Sequence, residues 1–330
     1  MSSYEQSRSA EGLGKIILRN RDLCVAILPE AGGKIVELRD LRGGRNWLWR
    51  NPNIPFGCGQ YDVDYASELD SGGWDELLLS VQPDDFRLAD GNICHIPDHG
   101  DIVGRPWSVR ELVSGADGET LCELAVAGRA LQYEFRRTAR LPRDGSCLHL
   151  AYSLSNEETF AWPWFWSAHA LVALDADTLV ELPDDQPFRL DHSTAQAGCS
   201  AVSEHRWPEL TLSNGCKVDL SRGFDAPMPG GQFASKVFVR SPASGAVTIS
   251  ATGTNESMTM HFDPTELPWF GLWLNNGGWA GNGFDAYRNL GLEPSTTPYD
   301  SVREAVDNDA VSWIEPGETR RWSLMVELRS

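Results

Sequence analysis

Three stretches of the chain set proton-carrying side chains among apolar or glycine-rich neighbours. Residues 92–101 read NICHIPDHGD and hold His95, His99, Asp98 and Asp101. Residues 160–172 read FAWPWFWSAHALV and place His169 among aromatic and small residues at an apparent strand end. Residues 268–300 carry Trp269, Trp273, Asn275 and Asn276 ahead of a glycine-rich loop, then Glu293 after Leu-Gly-Leu and before Pro294. An imidazole titrates near neutrality, and a nearby carboxylate shifts its balance, so one His and one Glu can pass a proton both ways without a cofactor. Each group also has a plainer reading. His169 could be a hydrogen-bonded core histidine, and Glu293 could be paired with an arginine such as Arg288. The His-x-x-x-His spacing of His95 and His99 suits a metal only on a helix, and Pro97 between them opposes one, so no metal is expected.

Other chemistries find no support in the residues. There is no GxxxxGK[ST] and no GxGxxG after a strand to cradle a phosphate, and no GxSxG elbow for a nucleophilic serine. The net charge of −19 argues against nucleic acid or an anionic membrane as partner, because both require a positive face. The seven cysteines are scattered, form no CxxC pair and are odd in number, which fits reduced thiols rather than a disulfide framework. Cys122 and Cys147 read as small core residues. The opening MSSYEQSRSAEGLGK has no apolar core of a secretory signal, and no apolar run is long enough to span a membrane, so a cytoplasmic setting is expected. Thirteen tryptophans are far above ordinary usage. Any one of them could equally fill a large sandwich core, but as a set those beside loops and glycines, Trp74, Trp107, Trp162, Trp164, Trp166, Trp269, Trp273 and Trp279, favour a cleft that stacks indoles on sugar rings.

The elements that must position these groups read as strands. Apolar runs punctuated by Gly, Pro, Asn and Asp recur, and helical periodicity is nearly absent. Residues 15–20 and 23–28 form a hairpin around Arg21–Asp22, and a Pro-Glu-Ala-Gly-Gly turn leads to a strand at 34–39. Pairs are predicted at 107–113 with 121–126 and at 131–137 with 147–154. Later strands are predicted at 178–182, 210–212, 216–220, 235–240, 246–251, 257–262 and 321–328. A short helix at 300–306 is capped by Asp300. Residues 183–200 read as a loop over the cleft, and 1–14 as a poorly ordered tail. The whole, 1–330, is expected to be one all-β domain, a large antiparallel β-sandwich.

In order and spacing these stretches resemble the aldose 1-epimerase (galactose mutarotase-like) family. ILPEAGGKIVELRD resembles its opening strands, and GGWDELL and IPDHGDIVGRPW resemble its middle loops. FWSAHALVALDADTLVELP resembles the stretch with the catalytic His, and WFGLWLNNGG with NLGLEPSTTPYDSV resembles the stretch with the catalytic Glu. The likeness spans roughly residues 15–328. It implies a mutarotase that interconverts the α and β anomers of a free aldose, with His169 as general acid and Glu293 as general base. It also implies His99 as a substrate-binding residue, with Lys236, Trp273, Asp75, Asp98 and Asn275 as further sugar contacts. No cofactor is implied. The partner is a small-molecule sugar, and the assembly a monomer or homodimer. Ala168–His169–Ala170–Leu171 departs from the Asn-His pair and downstream Tyr-Phe-Asn of the better-studied galactose mutarotases, which makes this a divergent member and leaves the sugar open. Three other readings use the same cleft: a carbohydrate-binding protein without turnover, a glycoside-processing enzyme with a second carboxylate such as Asp75 or Asp98, and an epimerase of sugar phosphates using Arg105, Arg222 or Arg288.

Overall fold

The computed structural model of the chain describes residues 2–88, 91–194, 205–212, 215–223, 232–281 and 283–330. Its strands form where apolar runs meet turn residues. Gly14–Arg19 and Leu23–Leu28 pair antiparallel, and between them Asn20 folds the turn by accepting from the backbone N–H of Asp22 at 2.8 Å and of Leu23 at 2.7 Å. The predicted strands at 34–39, 121–126, 147–154, 235–240, 246–251 and 257–262 stand as Lys34–Asp40, Thr120–Ala127, Cys147–Asn156, Phe233–Arg240, Ala246–Ala251 and Ser257–Phe262. The N-terminal tail differs from its expectation. Ser3–Arg8 is an edge strand paired along its length with Gly14–Arg19.

Among the described residues the strands make two large antiparallel sheets, of 13 and 8 strands, and two small ones. The larger runs in the order Ser3–Arg8, Gly14–Arg19, Leu23–Leu28, Lys34–Asp40, Trp74–Leu78, Trp166–Ala173, Arg288–Ser295, Trp269–Asn276, Phe233–Arg240 and Pro187–Ser193, followed by three short strands. Six of these carry the site and are numbered in chain order: β1 Trp74–Leu78, β2 Trp166–Ala173, β3 Pro187–Ser193, β4 Phe233–Arg240, β5 Trp269–Asn276 and β6 Arg288–Ser295. The all-β sandwich expected from the sequence is thus the observed class. The sheets enclose a core rich in aromatics, including Trp74, Phe135, Trp162, Trp166 and Trp322. One ion pair crosses this core: Arg137 Nη1 lies 3.1 Å from Glu76 Oε1, which also accepts from Tyr152 at 3.1 Å.

Three local expectations are corrected. Residues 183–200 are not simply a loop, because β3 joins the sheet beside β4; residues 195–204 lie outside the described residues. The short helix is Val302–Asp307, and its cap is Ser301, whose side chain accepts from Glu304 N–H. Asp300 is thereby left for the cleft. Most of the singled-out tryptophans are core residues, since Trp74, Trp107, Trp162, Trp164 and Trp166 are buried and only Trp273 and Trp279 line the cleft. Cys122 is buried as expected, whereas Cys147 is half-buried. The six described cysteines, Cys24, Cys58, Cys94, Cys122, Cys147 and Cys216, are free thiols; Cys199 lies outside the described residues. No helix of the described residues is long and apolar enough to cross a membrane.

Candidate active site

Alternation along adjacent strands gathers the reactive side chains on one face of the larger sheet. On β2, Ala168 and Ala170 pack into the core and His169 and Leu171 face the opposite way; on β6, Leu290 and Leu292 are core and Asn289 and Glu293 face the cleft. The β2–β6 register runs from Ser167–Ser295 to Ala170–Leu292, which brackets His169 against Glu293. Asp75 on β1 is the partner of His169, Lys236 on β4 that of Trp273 on β5, and His192 on β3 that of Lys236. Glycines open space for the carboxylate. Gly271 lies opposite Glu293, and a Cβ on Gly291 would sit 3.0 Å from Glu293 Oε1.

The result is an open cleft of about 700 Å³, counted to its solvent mouth. His169 Nε2 and Glu293 Oε1 stand 3.9 Å apart in it. Lys236 donates to Glu293 Oε2 and lies 3.4 Å from Asp300 Oδ1. Neither Glu293 Oε1 nor His169 Nδ1 has a hydrogen-bond partner among the described residues. Buried polar atoms left open in this way are where water or a ligand completes the bonding. Trp273 and Trp279 meet edge to face at 5.7 Å and wall the cleft with His192, which stacks near Trp273 at 6.3 Å.

His99 reaches the cleft from a tight turn. His99 and Gly100 both have positive φ, and Gly100 N–H donates to Pro97 O at 2.9 Å. Its ring is fixed on two sides. Nδ1 bonds Asp98 Oδ1 at 2.8 Å, and Tyr65 stacks on the face with centroids 3.6 Å apart. Tyr65 is in turn anchored by donating to Asp75 Oδ2 at 3.0 Å, and Lys34 Nζ holds the same oxygen at 2.6 Å.

Burial pushes His169 well below the ordinary imidazole range, and the charges of His99, Lys236 and Lys34 push the same way. Burial works against the charge of Lys236, but Asp300 and Glu293 outweigh it and raise its value. Asp300 is raised to about 6, first by burial and then by Glu293 and Asp191, against the pull of Lys236. Asp98 is lowered, because its hydrogen bonds from His99 and from Tyr65 N–H outweigh burial. Asp70 is raised by burial despite the hydrogen bond from Tyr287.

Of the predicted site residues, His169, Glu293, His99, Lys236, Asp98 and Trp273 meet in the cleft. Asp98 lines it, but both of its oxygens are occupied, one by His99 and one by Tyr65 N–H at 3.0 Å, so it orients His99. Two assignments are corrected. Asp75 is buried behind the cleft with Lys34 and Tyr65, where it neutralises an ammonium and leaves no oxygen among the lining groups. Asn275 is turned into its own loop: its amide donates to Trp279 O at 3.0 Å, and its oxygen accepts from Gly278 N–H at 3.2 Å. Arg105, Arg222 and Arg288 do not line the cleft. His95 sits outside it, between Asp85 at 2.9 Å and Asp62 at 3.0 Å. Sequence reasoning missed Tyr65, Asp70, His192 and Asn289 as lining residues and read Asp300 as a helix cap. Nothing local in the chain marks the first four.

No protein-family model matches the sequence. No curated protein matches it either. Solved structures do match. A candidate aldose 1-epimerase from Klebsiella pneumoniae superposes with a TM-score of 0.73 at 14% identity, covering 98% of this chain and 83% of its own. A galactose mutarotase-like protein from Clostridium acetobutylicum gives 0.69 at 15% identity, covering 100% and 99%. A galactose mutarotase related enzyme from Lactobacillus acidophilus gives 0.65 at 12% identity, covering 96% and 97%. The chain therefore has the galactose mutarotase-like fold, spread over its full length.

Proposed function

We propose that the protein is a mutarotase that interconverts the α and β anomers of a free aldose. The observation that carries the proposal is the pair His169 Nε2 and Glu293 Oε1, 3.9 Å apart in the cleft, with Glu293 Oε1 free of any hydrogen bond among the described residues. An anomeric carbon bears two oxygens, and the reaction needs one proton taken from the hydroxyl and one given to the ring oxygen. A base and an acid side by side match that demand. Glu293 removes the proton of the anomeric hydroxyl, and His169 delivers one to the ring oxygen. The bond from C1 to the ring oxygen breaks and an open-chain aldehyde forms. After rotation about C1–C2, Glu293 returns its proton to the carbonyl oxygen while His169 takes one from the attacking hydroxyl. The ring closes as the other anomer, and the pair is back in its starting state.

The surroundings support this reading. Trp273 and Trp279 offer indole surface to the C–H faces of a sugar ring, which holds the substrate while one bond opens. The acidic lining, with Asp70, Asp98, Glu293 and Asp300 against Lys236, favours a neutral sugar over a phosphorylated one. Polarimetry on freshly dissolved neutral aldoses tests the proposal. Wild type should accelerate the approach to equilibrium, and His169→Ala and Glu293→Gln should each lower the rate about a hundredfold or more. No acceleration on any aldose, or full activity in Glu293→Gln, contradicts it.

A further inference from the structure

We propose that Asp70 and Asn289 grip the edge of the sugar ring opposite the anomeric carbon, so that the protein takes an aldose with free hydroxyls on its C3–C4 edge. This deepens the mutarotase reading and rests on it for the direction in which the sugar lies. Both residues line the cleft, are 4% and 1% exposed, and have an Oδ1 with no hydrogen-bond partner among the described residues. A buried oxygen left open on a cleft calls for a donor from the ligand, because an unpaired one costs its full desolvation. Each residue is held from behind. Tyr287 donates to Asp70 Oδ2, and the Asn51 amide donates to the Asp70 carbonyl at 2.8 Å. Asn289 sits within β6, in register with Ala173 of β2 and Asn275 of β5.

These oxygens belong to the end of the cleft away from the acid/base pair. Asn289 precedes Glu293 by four residues on the same face of β6, about 13–14 Å along the strand. Between them stands Gly291, opposite Trp273, where a Cβ would come within 3.0 Å of Trp273 Cβ and of Glu293 Oε1, so no side chain of β6 divides the two ends. Tyr287, two residues before Asn289, brings Asp70 to the same end, and Trp279 meets Tyr287 edge to face at 6.3 Å. The chemistry fixes which part of a pyranose arrives there. Glu293 and His169 act on the C1 hydroxyl and on the ring oxygen, and the bond that faces these two atoms across the ring is C3–C4. Its hydroxyls are the donors that reach Asp70 and Asn289. An amide can turn either end to a hydroxyl, but a carboxylate only accepts, so it is Asp70 that demands an O–H.

The test reads binding by titration calorimetry, which needs no turnover, at pH ~8, well above the carboxylate range. The probes are D-glucose, D-galactose, D-mannose and D-xylose, then the tightest binder with its C3 or its C4 hydroxyl replaced by fluorine, which accepts but cannot donate. Wild type should bind at least one of the two fluoro sugars about 10- to 100-fold more weakly than the parent, the scale of one hydrogen bond to a charged group. Asp70→Ala should weaken binding of the parent by a similar factor and hold that same fluoro sugar within about threefold of it. Asp70→Asn keeps an oxygen for Tyr287 and turns an N–H to the cleft, so it should lose the discrimination with the fold intact. In polarimetry Asp70→Ala should raise KM by the factor seen in binding and leave kcat within about threefold, as for a contact kept from substrate to transition state. Equal binding of the parent and both fluoro sugars by wild type, discrimination that persists in Asp70→Ala and Asp70→Asn, or no binding of any of the four sugars overturns the subsite. Binding and discrimination as expected with no mutarotation overturns the reaction instead and leaves the subsite standing.

Discussion

Replacing Asp75 by Asn should destabilise the protein far more than a surface substitution does. Lys34 and Asp75 are 3% and 2% exposed, and their charged atoms lie 2.6 Å apart. At an effective dielectric of about 20, that contact represents roughly 6 kcal/mol of Coulomb attraction. The amide would retain one hydrogen bond, and Lys34 would keep the carbonyl of Gly72 at 2.9 Å, so the net loss should be about 3–5 kcal/mol, as for other buried charges stripped of a partner. Tyr65 donates to the same oxygen as Lys34, so the amide oxygen remains its acceptor and the ring on which His99 stacks stays in place. Urea unfolding followed by tryptophan fluorescence measures this directly. The midpoint should fall with little change in slope, and Lys34→Met/Asp75→Leu should recover most of the loss by removing both charges. A loss under about 1 kcal/mol in Asp75→Asn, the range of exposed pairs, would refute the claim that this pair anchors the cleft wall.

Three further outcomes are expected. Gly100→Ala should cost about 2 kcal/mol or more by urea unfolding, because φ is +84° and the new Cβ would lie 2.2 Å from Leu78 O; Gly44→Ala, at φ +81° with open space around it, should cost about 1 kcal/mol. Burial raises Glu76 to about 7 against the pull of Arg137. A raised carboxyl contributes stability that is complete below its unfolded value and is lost as pH rises through the folded one, so unfolding free energy should decline between pH ~4.5 and ~7, by up to about 1.4 kcal/mol per unit, and Glu76→Gln should flatten that decline. His169 has the opposite sign. Its lowered value means that its contribution is present above pH ~6.5 and lost as pH falls, whereas the rate it supports needs its proton; the catalysed part of mutarotation should therefore rise from pH ~8 toward ~6. A catalysed rate that is flat over that window contradicts the acid role.

Much of the fold was legible because half-buried strands alternate. Tyr133–Leu141 and Cys147–Asn156 bury every second residue, and turn residues bound them. The strands carrying the site were harder to read. Trp166–Ala173 and Arg288–Ser295 are buried on both faces, so they show apolar runs with no period of two. His169 and Glu293 stood out because a titratable group in such a run needs a reason to be there. Asp75 misled because its partner, Lys34, is 41 residues away and no local pattern records the pairing. For Asn275 a signal was present. An Asn followed by Gly277 and Gly278 is a turn former, and its side chain does close that turn. Asp300–Ser301 offered two caps in a row, and only packing decides that the serine caps the helix while the aspartate meets Lys236.

The central claim is that this cleft opens and recloses a sugar ring. Two-dimensional exchange NMR on an aldose at anomeric equilibrium observes that event with no net reaction to follow. Catalytic protein should produce cross-peaks between the α and β anomeric protons that grow with protein concentration, and Glu293→Gln should lower the exchange rate about a hundredfold while still binding the sugar. Line broadening of the sugar without exchange cross-peaks, in wild type and Glu293→Gln alike, would contradict the account and leave a binding protein on this fold.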